Sequence, residues 1–194
     1  MIRNLGAYFL MMGWVLRKPR KFSVFWAMLM REIHAIGISS IPIVVLMSTF
    51  IGAVISLQTA SNMDNPLLPS YTVGYITQSS VILEFSPTII SLILAGKVGS
   101  NISSEIGTMR ITEQIDALEI MGVNSLNHLI LPKVFAAVIY FPILVIFSMI
   151  LAMVGGLISL IISDLSTAET YVLGLRSWFD VYNVIYALIK TVAF

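Results

Sequence analysis

Residues 96–132 read GKVGSNISSEIGTMRITEQIDALEIMGVNSLNHLILP, a polar and helix-forming stretch between two long apolar runs. The apolar runs cover about 71–96 and about 129–162. Each run is long enough to cross a bilayer core of about 30 Å, which takes roughly 20 apolar residues in a helix. A polar helix between two spans lies outside the bilayer, so we expect the functional surface of the protein in this insert.

The composition places the chain among membrane proteins. Hydrophobic residues make up 58% and charged residues 11% of the chain, whereas soluble domains contain about 25% charged residues. A net charge of +1 indicates no nucleic-acid partner. The chain has no cysteine and only 2 histidines, far apart in sequence, which argues against disulfides, thiolate chemistry and a metal site. We predict an all-α polytopic membrane protein.

The whole chain, 1–194, is predicted as one transmembrane domain. A signal peptide is rejected because the first apolar stretch runs into the basic cluster 17–21 instead of a small-residue cleavage site. That cluster, followed by aromatic residues, favours helices in the headgroup plane over a short ordinary span. The predicted order is interfacial helices at 1–35, a first span at 36–61, a second at 71–104, a polar helix at 105–122, a third span at 129–163, an outer loop with a short helix at 164–180, and the start of a fourth span at 181–194.

The distribution of basic residues predicts the orientation. Of the 11 lysines and arginines, six fall in 1–35, none in 61–75, three in 96–133 and one in 164–180. Cytoplasmic loops carry the excess of positive charge in membrane proteins. The N-terminus and the polar insert are therefore expected in the cytoplasm, and the other two loops outside.

Small residues mark positions where helices can approach closely. Gly52 lies four residues from Ser48 and from Ser56, and Gly96 lies four residues before Ser100. Gly99 belongs to the same glycine- and serine-rich end of the second span. Gly52, Gly96, Gly99 and Ser100 are the predicted helix-packing positions.

The polar insert is predicted to form an amphipathic helix. Ile111, Ile115 and Leu118 fall on one face, and Arg110 and Glu113 are spaced to form an ion pair. Such a helix is either a solvated connection between spans or a docking surface for a cytoplasmic partner.

Glu84 interrupts the second apolar run. A span that starts near Tyr71 places this carboxyl about 20 Å into the helix, where a charge costs about 2.5–3.5 kcal/mol and usually faces a cavity or a partner. Pro87 follows three residues later and frees a backbone carbonyl nearby, which predicts a locally opened helix. The alternative is that the span starts later and Glu84 lies near the outer interface.

The chain contains none of the motifs G-x-S-x-G, H-E-x-x-H or Walker A. No catalytic or metal-binding constellation is predicted. An ATPase that acted on this chain would be a separate polypeptide.

Several motifs resemble those of one family, the MlaE/YrbE permeases, which are membrane subunits of MCE-associated lipid ABC transporters. The similar stretches cover most of the chain and are FIG at 50–52, LQ at 57–58, EFSP at 84–87, AGKVGS at 95–100 and EIGTMRITEQIDALE at 105–119. Three positions depart from the family pattern: Leu83 stands where the family usually has Arg, Ser86 where it usually has Gly, and Ser104 where it usually has Ala. The missing arginine puts a charge pair with Glu84 in doubt.

The resemblance implies a homodimeric permease with roughly five spans per copy, about three and a half of which fall in this chain. It implies a pair of cytoplasmic ATPase subunits, which hold ATP and Mg²⁺, and an MCE-domain protein on the outer face; no cofactor is expected in this chain. The implied lipid-binding residues are Ile55, Gln58, Met63 and Glu84. The implied ATPase-coupling residues are Glu105, Ile106, Met109, Arg110, Glu113 and Gln114. The chain ends where the family continues, which indicates a partial sequence.

The function expected from this resemblance is phospholipid movement between the bacterial inner membrane and an outer-membrane-directed MCE carrier, which maintains outer-membrane lipid asymmetry. Three alternatives stay open. The protein could be an ion- or proton-coupled carrier that titrates Glu84, an MCE-type importer of sterols or other hydrophobic molecules, or an assembly factor that recruits a cytoplasmic protein through the insert.

Overall fold

The computed structural model describes Gly6 and residues 22–63, 69–122 and 125–193. The predicted amphipathic helix before residue 22, apart from Gly6, lies outside the described residues, as do the middle of the 62–69 loop, the possible cap at Asn124, and Phe194. The described residues form helices and connections without a strand. The protein is thus an all-α polytopic membrane protein.

The helices follow one another along the chain with short connections. Three stretches are long and apolar enough to cross a membrane: Phe22–Ser61, Thr72–Ile111 and His128–Ile162. The bounds are α1 Phe22–Ser61, α2 Thr72–Ser80, a π-helical segment Val81–Ile90, α3 Ser91–Ile111, α4 Gln114–Ile120, α5 Ser125–Ile162, α6 Ala168–Arg176 and α7 Val181–Ala193.

The helix α1 is longer than the predicted first span. It runs for 40 residues without a break at the expected boundary between 35 and 36, and it contains Pro42. The charged side chains before residue 35 do not require a helix end, because Glu32 has an ion-pair partner on another helix. Proline is tolerated in such helices when neighbouring groups satisfy the freed backbone.

The prediction of one helix over 105–122 is wrong. The helix α3 ends at Ile111, and α4 begins at Gln114 after a residue, Glu113, with φ 56° and ψ 14°. The amide of Thr112 still donates to the carbonyl of Thr108 at 3.0 Å, whereas the amide of Glu113 donates to the carbonyl of Arg110, only three residues back, at 3.3 Å. A left-handed residue cannot continue a right-handed helix, and the insert therefore has two helical parts.

The third apolar run also begins earlier than predicted. The helix α5 starts at Ser125, so Pro132 lies well inside it and not in its first turn. Pro142 lies inside the same helix.

The chain divides into two compact units, each described by itself. The first comprises the described residues of Met1–Ser39 and Gly96–Tyr140 and is called the ion-pair unit. The second comprises the described residues of Ser40–Ala95 and Phe141–Phe194 and is called the glycine unit. The two names refer to the contacts that hold each unit together.

Aromatic and charged side chains join the helices of the ion-pair unit. The rings of Phe25 on α1 and Phe135 on α5 meet edge to face, with centroids 5.9 Å apart. Gly37 lies so close to the ring of Tyr140 that a Cβ would overlap it. The ammonium of Lys97 on α3 donates to the carbonyl of Ser39 on α1.

Missing side chains allow close contact between helices in the glycine unit. A Cβ on Gly52 of α1 would overlap the carbonyl of Ala152 on α5, and a Cβ on Gly155 would overlap the backbone of Thr49. Gly74 of α2 and Gly174 of α6 face each other in the same way. In lipid, where apolar area gives no drive for association, such close packing is a main source of helix–helix attraction.

Candidate functional site

The polar segment after the second span projects apolar side chains away from the rest of the chain. Ile111, Ile120 and Met121 are 85%, 87% and 68% exposed. They lie at the end of α3 and the end of α4, on either side of the left-handed Glu113. Apolar side chains displayed among charged ones, outside a span, are typical of a protein contact surface.

The predicted coupling residues divide by exposure. Arg110, Glu113 and Gln114 are exposed, whereas Glu105, Ile106 and Met109 are partly buried. Of the predicted apolar face, Ile111 is exposed, and Ile115 and Leu118 are partly buried. The sequence analysis did not select Ile120 and Met121. Two consecutive apolar residues between Glu119 and Gly122, in a polar segment, could have indicated an exposed contact site.

The predicted pair between Arg110 and Glu113 is absent from the described residues. Arg110 instead donates from Nη1 to Oδ1 of Asp116 at 2.6 Å, across the break between α3 and α4. The change follows from the backbone: the i, i+3 spacing applies only within a continuous helix, and Glu113 has left the helix. Both partners are largely exposed, so the pair contributes little to stability.

The end of α4 is closed by a turn and a hydrogen bond. Gly122 has φ 70°, a left-handed conformation that glycine commonly adopts just after a helix. The hydroxyl of Ser125 donates to the Glu119 carboxylate at 3.1 Å. This contact ties the start of α5 back to α4.

A buried lysine joins three helices of the ion-pair unit. Lys133 on α5 is 3% exposed, and its Nζ lies 2.9 Å from Oε1 of Glu32 on α1 and 2.6 Å from Oε2 of Glu105 on α3. Glu105, predicted as a coupling contact, thus binds within the chain. Sequence reasoning missed the cluster, because nothing in one sequence pairs residues so far apart along the chain.

The helix around Glu84 is opened as the proline predicted. Residues Val81–Ile90 are π-helical and contain Pro87. The carbonyl of Leu83 in this segment accepts from Nζ of Lys190 on α7 at 3.2 Å. Glu84 itself is exposed. Among the described residues, no basic side chain lies within 4.0 Å of its carboxylate.

The other predicted lipid-binding residues lie at and beyond the C-terminal end of α1. Ile55 is partly buried and Gln58 is exposed. Met63 packs against a buried cluster formed by Val73, Leu160 and Tyr171. Within the described part of the chain, no hydrogen bond or ion pair connects these residues to Glu84.

The same cluster contains a buried polar group, the hydroxyl of Tyr171. Tyr171 is fully buried; its hydroxyl lies 3.4 Å from the Ser56 hydroxyl and donates to the carbonyl of Met153 at 3.2 Å. Ser56 also lies 3.3 Å from the hydroxyl of Thr77. Burial raises the pKa of Tyr171 because the phenolate would lose its hydration.

The four predicted packing positions behave differently. Gly52 is in close helix contact, whereas nothing among the described residues lies within 4 Å of a Cβ built on Gly96 or Gly99. Ser100 is exposed. Among the described residues of one chain, Gly96, Gly99 and Ser100 make no close helix contact, and their packing against a neighbouring helix stays a prediction.

Acidic and histidine side chains do not converge on a metal site in the described ranges, where no group of three such residues could hold an ion.

Comparisons with known proteins agree with the geometry. A family model described as Permease MlaE matches residues 29–194. A probable ABC transporter permease protein of Rickettsia bellii is 32% identical over 180 residues, which are 93% of this chain and 68% of that protein. The intermembrane phospholipid transport system permease protein MlaE of Haemophilus influenzae is 34% identical over 155 residues, 79% of this chain and 59% of that protein. The chain spans 68% of the length of the Rickettsia bellii protein and 66% of the length of a probable ABC transporter permease protein of Rickettsia typhi. It spans 49% of the length of a probable ABC transporter permease protein of Porphyra purpurea.

Proposed function

The chain belongs to the MlaE permease family, and we propose that it is the membrane subunit of an ABC transporter that moves phospholipid between the inner membrane and an MCE-domain carrier. The observation that carries the proposal is the segment from Ile111 to Met121, which continues from a membrane-length helix and bears exposed apolar side chains.

The proposed partner at this segment is a cytoplasmic ATPase. Ile111, Ile120 and Met121 would occupy a groove of the ATPase, in the way that apolar anchors of a short helix fill a complementary surface. Arg110, Glu113 and Gln114 would surround these anchors and set their orientation. ATP and Mg²⁺ would bind in the ATPase, and this chain would perform no bond chemistry.

Phospholipid is proposed as the cargo because the relative from Haemophilus influenzae is named for intermembrane phospholipid transport. Two copies of the permease would enclose the lipid, with Ile55, Gln58, Met63 and Glu84 at the site on each copy. An MCE-domain protein would cover this site on the outer face. The N-terminus and the segment from Ile111 to Met121, called the α3–α4 segment below, would lie in the cytoplasm. Transport would maintain the lipid asymmetry of the outer membrane.

Closure of the ATPase pair would push on the α3–α4 segment. The force would pass along α3 into the span that contains Glu84, since Thr72–Ile111 is one unbroken helical stretch. The lipid site would open or close as a consequence. The same arrangement serves import of sterols or other hydrophobic molecules if the cargo differs.

A second candidate function is an ion- or proton-coupled carrier. It is favoured by Glu84, an acidic residue in a π-helical segment of a span, since ionisable residues inside membranes commonly serve as transport sites. Transport that persists with a hydrolysis-dead ATPase and responds to Glu84→Gln would support this carrier over the ABC permease.

The ATPase contact is tested by co-purification of the full-length permease with its ATPase. Ile120→Asp places a charge at the most exposed anchor, and we expect it to lose most of the bound ATPase. The matched control is Leu165→Asp, which changes an exposed leucine in the connection between α5 and α6 and should retain the ATPase. Equal retention by both variants would reject the docking surface.

A further inference from the structure

The ion pairs of Lys133 connect the elements that the proposed ATPase contact would have to move. Its ammonium reaches Glu105 of α3 at 2.6 Å and Glu32 of α1 at 2.9 Å, while Lys133 itself belongs to α5. The helix α3 leads into the α3–α4 segment, and α5 leads away from it. Three helices of the ion-pair unit therefore share one buried cation.

The burial of the cluster is graded. The Lys133 side chain is almost inaccessible, Glu32 is mostly covered, and Glu105 is nearly half-exposed. Two carboxylates face one ammonium, so the cluster carries a net negative charge, and loss of Lys133 would leave both carboxylates without their cation. Loss of one partner of such a cluster is far more costly than replacement of the whole cluster by neutral groups.

A cluster of this kind is a poor source of net stability, because desolvation of the ions offsets most of their attraction. Its effect is on geometry: a single ammonium that donates to two carboxylates sets the register of α1, α3 and α5 against one another. Two other described cations of the unit are placed differently. Lys97 donates to a backbone carbonyl of α1, and Arg110 pairs at the surface with Asp116.

We propose that Lys133 is a positioning residue that makes α1, α3 and α5 move together when the α3–α4 segment is pushed, so that ATP hydrolysis is converted into lipid movement. The inference rests on the proposed function. It assigns Glu105 to transmission of the force within the permease and not to the contact with the ATPase.

The test compares variants of the full-length permease, purified with its ATPase and reconstituted in phospholipid vesicles with the outer carrier. The measured quantity is lipid transferred per ATP hydrolysed. For Lys133→Met we expect this ratio to fall about tenfold, within the usual range of coupling between two sites, while ATPase binding by the folded protein is retained. Lys133→Arg keeps a cation with several donors and should restore most of the ratio.

Lys97→Met is the matched control, because it removes a lysine of the same unit that has no carboxylate partner among the described residues. It should leave the ratio unchanged. A purely structural role for Lys133 predicts that transfer and hydrolysis fall together, with a constant ratio, and that result would overturn the inference.

A neutral triple variant covers the case in which Lys133→Met fails to fold. Lys133→Met with Glu32→Gln and Glu105→Gln removes all three charges, and we expect it to fold and to remain uncoupled. Normal coupling in the triple variant would reject the inference. If the wild-type permease binds no ATPase, the proposed function falls as well; if it binds and transfers lipid but the ratio is insensitive to Lys133, only this inference falls.

Discussion

The two units of the chain solve the problem of holding membrane helices together in opposite ways. In the ion-pair unit, a long side chain reaches across, as Lys133 does to Glu32 and Glu105. In the glycine unit, side chains are missing, and Gly52 lets the backbone of α1 touch Ala152 of α5. The ion pairs of Lys133 fix the register of helices that lie a side chain's length apart, whereas backbone contact through glycine fixes how closely two helices approach.

This difference has a physical basis in the surroundings of each unit. The ion-pair unit contains the α3–α4 segment, where water and a partner can compensate charge. The glycine unit contains Val81–Ile90 and the glycine contacts, where helices surrounded by lipid associate through close packing and hydrogen bonds. The ion-pair unit therefore joins its helices through charged side chains, and the glycine unit joins its helices through backbone contact.

The largest effect is expected at the closest backbone contact. Gly52→Ala places a methyl group where the carbonyl of Ala152 lies, and we expect a loss of about 3 kcal/mol, the upper end of overpacking effects. The measurement is thermal unfolding of the purified protein in detergent. Gly99→Ala is the control, since its Cβ meets open space; it should be neutral or slightly stabilising, and a comparable loss there would indicate close packing at the end of the second span.

The next effect is expected at the ion pairs. Lys133→Met leaves two carboxylates without their cation, and we expect a loss of about 2 kcal/mol, below the usual cost for a fully buried pair because Glu105 is partly solvated. The free energy of unfolding of the neutral triple variant should be close to that of the wild type, so that most of this loss is recovered. If the triple variant is as unstable as the single one, the ion-pair unit depends on the cluster for stability and the contrast between the units weakens.

A smaller effect is expected at Tyr171. Tyr171→Phe removes a hydroxyl that bonds to Met153 and lies near Ser56, and we expect a loss of about 1 kcal/mol. Tyr182→Phe, at an exposed position, should have no measurable effect in the same unfolding experiment. Equal losses would show that the buried hydroxyl group is not special.

The same residue gives a pH dependence with a definite sign. Burial raises the pKa of Tyr171 above its usual value of 10.0, so the folded protein holds this proton more tightly than the unfolded chain. Its contribution to stability is complete below pH 10.0 and is lost as the pH rises toward the folded pKa. Across this alkaline range, the free energy of unfolding should decline less steeply with pH for Tyr171→Phe than for the wild type.

The smallest effect is expected at the surface pair. Arg110→Ala removes the contact with Asp116, and we expect a change below about 0.5 kcal/mol because both groups are solvated. The free energy of ATPase binding should decrease by more than the free energy of unfolding does. A large loss of stability instead would place this pair among the structural contacts of the ion-pair unit.

Several elements could be predicted from the sequence because they depend on local chemistry. The membrane-length helices follow from apolar runs, the opened helix near Glu84 follows from Pro87, and the turn at Gly122 follows from the freedom of glycine at φ 70°. The division at Glu113 could not be predicted, because TEQ is compatible with a helix and the left-handed residue depends on what surrounds it.

The candidate site was predicted in place but not in its contacts. The exposed segment was located from its polarity, whereas Arg110 was assigned to Glu113 and Glu105 to an external partner. The assignment of Arg110 assumed that a neighbour along a continuous helix is the neighbour in space, whereas that of Glu105 followed from the resemblance and stays a prediction. The structure pairs Arg110 with Asp116 and Glu105 with Lys133.

The sequence by itself determined the class of protein, the spans, the polar segment and the close-packed Gly52, because hydrophobicity and side-chain size act through local composition. Only the tertiary structure decided which charges meet, which glycines have neighbours, and that Lys190 reaches the carbonyl of Leu83 in the π-helical segment. Those contacts join residues far apart along the chain, and their geometry exists only after the helices have packed.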